Sequence, residues 1–234
     1  MRISKQRKKT TLAQQGRYLL ICMLSMMLFF LAGSMIILNR TQRQVYEQLE
    51  EISKLYTDEL DNRFLRISRN LFSTVMDSSN PDSDFWKYMD LMEKDQYEEY
   101  VITQLRKKYV SAAWDFGTDY NVFLYTKKDK SLYQLSISSD GFYAIDPYLQ
   151  EALKCRINSL SQQTYAVKKK WAVMQQGDEV YMLKVAQSQG VGLGCYVNLK
   201  TILEPFSKLS LGKSGYVSLV DQNGKNIVTV TEKG

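Results

Sequence analysis

Five side chains have the types and spacing to hold a small polar ligand. Trp171, Tyr181 and Tyr125 form a stacking surface, and Lys184 or Asp115 supplies a charged anchor. Trp and Tyr join an apolar ring to a polar edge, which suits a pocket that stacks a solute and hydrogen-bonds its rim. They belong to a wider aromatic set that includes Trp114, Tyr120, Phe123, Tyr133, Phe142 and Tyr143. Ordinary core and cross-strand pairs draw on the same residue types.

Catalysis finds no comparable support. The chain has no histidine, which removes His-based triads, His-ligated metals and a phospho-accepting His. A serine hydrolase would then need a Ser-Lys arrangement, and no local motif supplies one. Asp82 with Asp84, and Glu98 with Glu99, lie on polar stretches and read as solvated faces. Gly190-Val191-Gly192-Leu193-Gly194 has the look of a nucleotide loop, but a strand follows it where the fingerprint requires a helix. Gly212-Lys213-Ser214 lacks the earlier phosphate-loop glycine, because position 207 is Ser207. There is no C-x-x-C pair. Cys155 and Cys195 are read as unpaired buried thiols, with a disulfide between them as the alternative, and Cys22 as a small apolar residue. No catalytic residue, metal or cofactor is assigned, and the chain is read as a non-enzyme.

The elements that must position these residues begin with a charge asymmetry. Arg2, Lys5, Arg7, Lys8, Lys9 and Arg17 give residues 1–17 six bases and no acid. With those six set aside, the bases equal the 25 acids, so the net +6 is the tail. A nucleic-acid binder carries its surplus on a folded face; no nucleic-acid partner is expected. Tyr18–Leu38 then runs 21 residues without a charge or proline, and about twenty apolar residues cross a bilayer. A signal peptide's apolar stretch is about 7–15 residues, and Met35–Leu38 continue past the small residues Ala32-Gly33-Ser34. The run is an uncleaved anchor. The basic flank is retained in the cytoplasm, which puts everything from Asn39 onward outside.

Beyond the anchor, Val45, Leu49, Ile52, Tyr56, Leu60, Phe64, Ile67, Leu71 and Val75 recur every three or four residues. That is a long amphipathic helix. The mean spacing of about 3.75 is too wide for a strict two-stranded coiled coil. The stripe is expected to pack on its own domain, with a second copy of the chain alongside near the membrane. Pro81 and its polar neighbours end this helix, and a second is expected over Asp84–Ala112. The period then changes to two, with strands at Tyr120–Tyr125 and Leu132–Ile137. A helix opens at Pro147, followed by strands at Lys170–Met174, Glu179–Ala186 and Leu193–Val197 and a helix over Leu199–Leu209. Tyr216–Val220 and Asn226–Val230 flank Asn223-Gly224, a hairpin signal. The fold class is α+β, and strand, strand, helix and three-strand meander is the element order of a PAS-like domain. The organisation reads as a 1–17 tail, an 18–38 span, a 39–112 helical region, a 113–198 lobe and, over 199–234, a helix with the start of a second lobe.

Three segments carry a family resemblance: Asn121–Tyr125 (NVFLY), Gly190–Leu203 (GVGLGCYVNLKTIL) and Gly215–Val228 (GYVSLVDQNGKNIV). With the basic tail, single span and long helix, they resemble the extracytoplasmic Cache-type sensor region of bacterial YesM-like sensor histidine kinases. That resemblance implies a membrane-anchored sensor binding a small extracellular solute. It covers only the front of such a receptor, since the second span, HAMP linker and kinase core lie beyond this chain. Amino-acid-binding members use Arg-x-Trp-Tyr, whereas Lys169-Lys170-Trp171-Ala172 stands here, which counts against an amino-acid ligand and leaves a sugar or oligosaccharide open without pointing to one. The alternative is a membrane-anchored module for protein or cell-wall partners. In a PAS-like sheet the three rings are expected to share the face opposite the long helix, roofed by the Pro147 helix.

Overall fold

The computed structural model describes residues 3–76, 83–93, 98–117, 119–137, 144–161, 170–188, 190–207, 215–220 and 224–231. The chain divides into two units, Met1–Asp61 and Asn62–Gly234. Helix α1, Ile3–Met76, supplies the first and runs into the second.

In the first unit the apolar run lies open, with Phe29 85% exposed and Leu24 57%. Among the described residues, α1 is the one helix long and apolar enough to cross a membrane, and none of its most apolar window is covered by the rest of the chain. The hydroxyl of Ser25 donates to the Cys22 carbonyl at 2.9 Å, so this polar group is satisfied inside its own helix. Farther along, Arg43 pairs with Glu47 at 2.8 Å on the exposed surface.

The second unit is α+β. Helices α2 (Asp84–Glu93) and α3 (Glu98–Phe116) stand where one helix ending at Ala112 is expected. Ser83 caps α2, accepting from the Trp86 amide at 3.1 Å. Strands β1 (Asn121–Thr126), β2 (Leu132–Gln134), β3 (Ala172–Gln176), β4 (Glu179–Ser188) and β5 (Val191–Asn198) form an antiparallel sheet in the order β2-β1-β5-β4-β3. Helix α4, Pro147–Ser161, crosses between β2 and β3 in the chain. Asp146 caps it, its carboxylate accepting from the Tyr148 and Leu149 amides at 3.0 and 3.1 Å, while Pro147 fills the first helical position where no N–H is needed. Helix α5, Leu199–Ser207, starts on Asn198, which accepts from the Lys200 amide at 2.9 Å. Strands β6 (Tyr216–Val220) and β7 (Asn226–Thr231) pair as a separate antiparallel ribbon.

Both central strands are buried on both faces, so their sequences are nearly unbroken apolar runs. On one face Phe123, Tyr125, Leu132, Met174, Leu183 and Tyr196 pack with Leu149, Leu153 and Ile157 of α4. Alternation sends Val122, Leu124, Cys195 and Val197 to the other face. There Trp171 meets α1, its ring tilted by 50° against Phe64 with centroids 4.6 Å apart and its Nε1 donating to Ser68 Oγ at 3.1 Å. Ile67, Leu71 and Val75 are at most 1% exposed.

The glycine run has a packing reason. Gly194 pairs with Phe123 across β1–β5, and the Phe123 ring lies where a Cβ at Gly194 would stand, 2.2 Å from its Cζ. Both outer cysteines are free. Cys195 is fully buried, and Cys155 on α4 is exposed, which corrects its expected burial.

Candidate functional site

The α4 face of the sheet brings together the polar-edged aromatics. Tyr125 on β1 donates its hydroxyl to Asn158 Oδ1 on α4 at 3.0 Å, tying helix to sheet. Tyr196 on β5 donates to Gln134 Oε1 at 3.2 Å, and Gln134 Nε2 donates to Asn121 Oδ1 at 3.2 Å. Arg106 of α3 donates to the Gln134 carbonyl at 3.1 Å. Gln134 is only 2% exposed, and its side chain and carbonyl both find partners within the protein, as burial demands.

Tyr181 on β4 packs edge-on against Tyr196, with centroids 6.1 Å apart. Burial holds its hydroxyl above the ordinary phenol range, and the carboxylates of Glu179 and Asp146 push it further the same way. Tyr181 therefore stays a protonated donor at neutral pH. Beside it, Glu179 accepts from Asn198 Nδ2 at 2.6 Å and from Lys200 Nζ at 2.9 Å. These two hydrogen bonds hold the Glu179 carboxyl below its usual range, and the bond to Glu179 holds the Lys200 ammonium above its own. The result is a half-open aromatic platform with a donor, a carboxylate and an ammonium at its rim. Such a rim can hydrogen-bond the hydroxyl or amide edges of a small polar solute.

The expected convergence of the three rings is corrected by the strand register. Tyr125 pairs with Gly192 and Tyr181 with Asn198, which puts both on the α4 face. Trp171 precedes Ala172, the partner of Leu183, and therefore points to the α1 face. Lys184, paired with Cys195, points to that same opposite face. It is 8% exposed, and burial lowers its pKa. Lys184 and Tyr181 thus cannot serve one pocket on one side of the sheet. Asp115 lies on the last turn of α3 with its side chain outside the described residues, as is that of Trp114; Phe142 and Tyr143 lie outside them entirely.

Sequence reasoning missed Tyr196, Gln134, Asn121, Asn158 and the Glu179–Asn198–Lys200 cluster. Asp146 was missed too, although Asp-Pro ahead of an apolar-periodic run is a signal that could have found it. The others are joined by pairings 13–62 residues apart, for which no local signal exists. Among the described residues, no group of three or more Cys, Asp or Glu is placed to hold a metal ion. Comparison with protein-family models, curated proteins and solved structures gives no match.

Proposed function

We propose that this chain is the membrane-anchored, extracytoplasmic signal-receiving region of a receptor of the YesM-like type, and that its PAS-like lobe binds a small polar solute such as a sugar. The observation that carries this reading is the half-open rim of Tyr181, Glu179, Asn198 and Lys200 on the α4 face. The strand order β2-β1-β5-β4-β3 supports the PAS-like assignment. The uncovered apolar stretch of α1 behind a basic tail supports the anchor, with the bilayer as its partner and the N-terminus in the cytoplasm. Catalysis has no part in this reading.

The test uses the full chain in lipid nanodiscs, melted by tryptophan fluorescence against panels of sugars, oligosaccharides, amino acids and carboxylates. A solute at a hundred times its Kd adds about 2.7 kcal/mol. At about 2–4 °C per kcal/mol this raises Tm by about 5–10 °C. The rise should saturate and disappear in Tyr181→Ala. No response to any panel refutes solute binding. Protease added to spheroplasts should cleave beyond Asn39 and spare the tail, and the reverse refutes the orientation.

A second reading, a module for protein or cell-wall partners, is favoured by the close apolar packing of Phe123, Leu153, Ile157 and Leu183 beneath α4. Silence in the solute panels with retention on purified cell wall supports it.

A further inference from the structure

The bases of the N-terminal tail are not scattered around their helix. Helix α1 already runs through this segment, from Ile3 on. At 100° per residue, positions 5, 8, 9 and 12 fall within an arc of about 100°. Lys5, Lys8, Lys9 and Leu12 therefore share one face. Positions 3, 10 and 14 lie across the helix, occupied by Ile3, Thr10 and Gln14, with Arg7 as the one charge on that side. The first acid of the sequence is Glu47, beyond the apolar run.

At 1.5 Å per residue, Lys9 and Lys5 stand about 12 and 18 Å along the axis from Arg17, the last base before the apolar run. The headgroup layer is only about 5–8 Å deep on each side of the hydrocarbon. The attraction of an anionic surface decays over a Debye length of about 8 Å. A tail held on the axis of the anchor therefore carries its lysines out of the field. Gly16 is the weak point between them and the span. It is the one glycine from Ile3 to Ala32, a stretch without proline, and glycine is among the poorest helix formers. A Cβ at Gly16 would meet nothing within 4 Å among the described residues, so no close neighbour calls for glycine there.

We propose that the tail leaves the axis of the anchor at Gly16 and lies on the cytoplasmic leaflet, with the face of Lys5, Lys8, Lys9 and Leu12 against the headgroups of anionic phospholipids. The proposal rests on the anchored reading above. It adds a ligand that anchoring does not need, since an apolar run inserts in a bilayer of any headgroup. Each base near an anionic surface is worth about fivefold in binding, so the three lysines together favour the docked tail by about a hundredfold. Leu12 enters the boundary between headgroups and acyl chains, as the apolar residues of surface helices do. A nucleic acid would offer the lysines the same phosphate charge but no apolar phase for Leu12, and the leaflet is held beside the tail by the anchor.

The test uses the full chain with Cys22→Ser and Cys155→Ser as background, carrying a polarity-sensitive fluorophore on Leu12→Cys or on Thr10→Cys. The chain is placed in nanodiscs of phosphatidylcholine with and without phosphatidylglycerol. Phosphatidylglycerol should shift the Leu12→Cys emission to the blue and leave Thr10→Cys nearly unchanged. Salt at about 1 M, where the Debye length is about 3 Å, should reverse most of the shift. Lys5→Gln with Lys8→Gln and Lys9→Gln should abolish it, while Arg7→Gln keeps most of it. Gly16→Ala, which stiffens the helix, should raise the phosphatidylglycerol content needed for half of the shift, and an unchanged midpoint overturns the bend. Equal emission in the two membranes, or equal shifts at both labelled positions, overturns the proposal. A shift on added RNA with none on phosphatidylglycerol overturns it too. A chain that carbonate washing strips from native membranes overturns the anchor, whereas a chain that stays and ignores the lipid overturns this proposal alone.

Discussion

Gly194→Ala tests the packing logic of the sheet most directly. The new Cβ would stand 2.2 Å from Phe123 Cζ and 2.7 Å from each Cε. Ordinary van der Waals contact begins at 3.4 Å, so the ring must retreat by about 1.2 Å. Phe123 is fully buried among Leu153, Ile157, Leu183 and Tyr196, and close-packed interiors yield little. Overpacking of this kind costs about 1–3 kcal/mol, and the geometry belongs at the upper end. Replacing a strand glycine by alanine returns roughly 0.5–1 kcal/mol of backbone entropy. The expected net loss is about 2 kcal/mol, or a Tm lower by about 4–8 °C. Thermal melting of the full chain by circular dichroism reads it. Gly192→Ala is the control, because its Cβ meets only the side chains of Gln187 and Val185, at 3.3 Å, and should cost under about 1 kcal/mol. The decisive comparison is Gly194→Ala made on Phe123→Ala. If the ring is the obstacle, the alanine becomes neutral or stabilising there, a coupling of the size expected for residues in contact. An equal loss with and without the ring refutes the reasoning.

Three further outcomes follow from named groups. Tyr196→Phe removes the hydroxyl donated to Gln134 Oε1 and should cost about 1–3 kcal/mol in denaturant melts, because it leaves a buried acceptor unmatched. Asp146→Ala removes the cap on two α4 amides and should cost about 1 kcal/mol, with Asp146→Asn or Asp146→Ser recovering most of it. Burial pushes Tyr109 up to about 12. A raised folded pKa stabilises fully below the unfolded value near 10 and loses that contribution as pH rises through the folded one. Stability should therefore fall between about pH 10 and 12, by about 3 kcal/mol from this group. Tyr109→Phe should remove that share of the fall and leave the part that the buried Tyr196 and Cys195 contribute, and ultraviolet titration of the phenols should show one fewer late phenol in the variant.

Much of this protein was legible along the chain because the deciding forces are local. Tyr18–Leu38 is a run of 21 residues without a charge, Pro147 announces a helix start, and Asn121–Tyr125 reads as a strand from its short apolar run. Local periodicity cannot say which strands share a face. Within one strand the period of two relates neighbouring side chains, but between strands only the pairing register does so, and a slip of one residue inverts it. The pairs Tyr125–Gly192, Tyr181–Asn198 and Ala172–Leu183 put Tyr125 and Tyr181 together and send Trp171 to α1. The same long-range pairing lays Phe123 on Gly194, so a glycine run that resembles a ligand loop is a packing requirement. It also joins Tyr196, Gln134 and Asn121, three residues whose spacing in the chain carries no sign of their contact. Those contacts depend on closing loops of many residues, and the free energy that selects among closures resides in the assembled core rather than in any local segment.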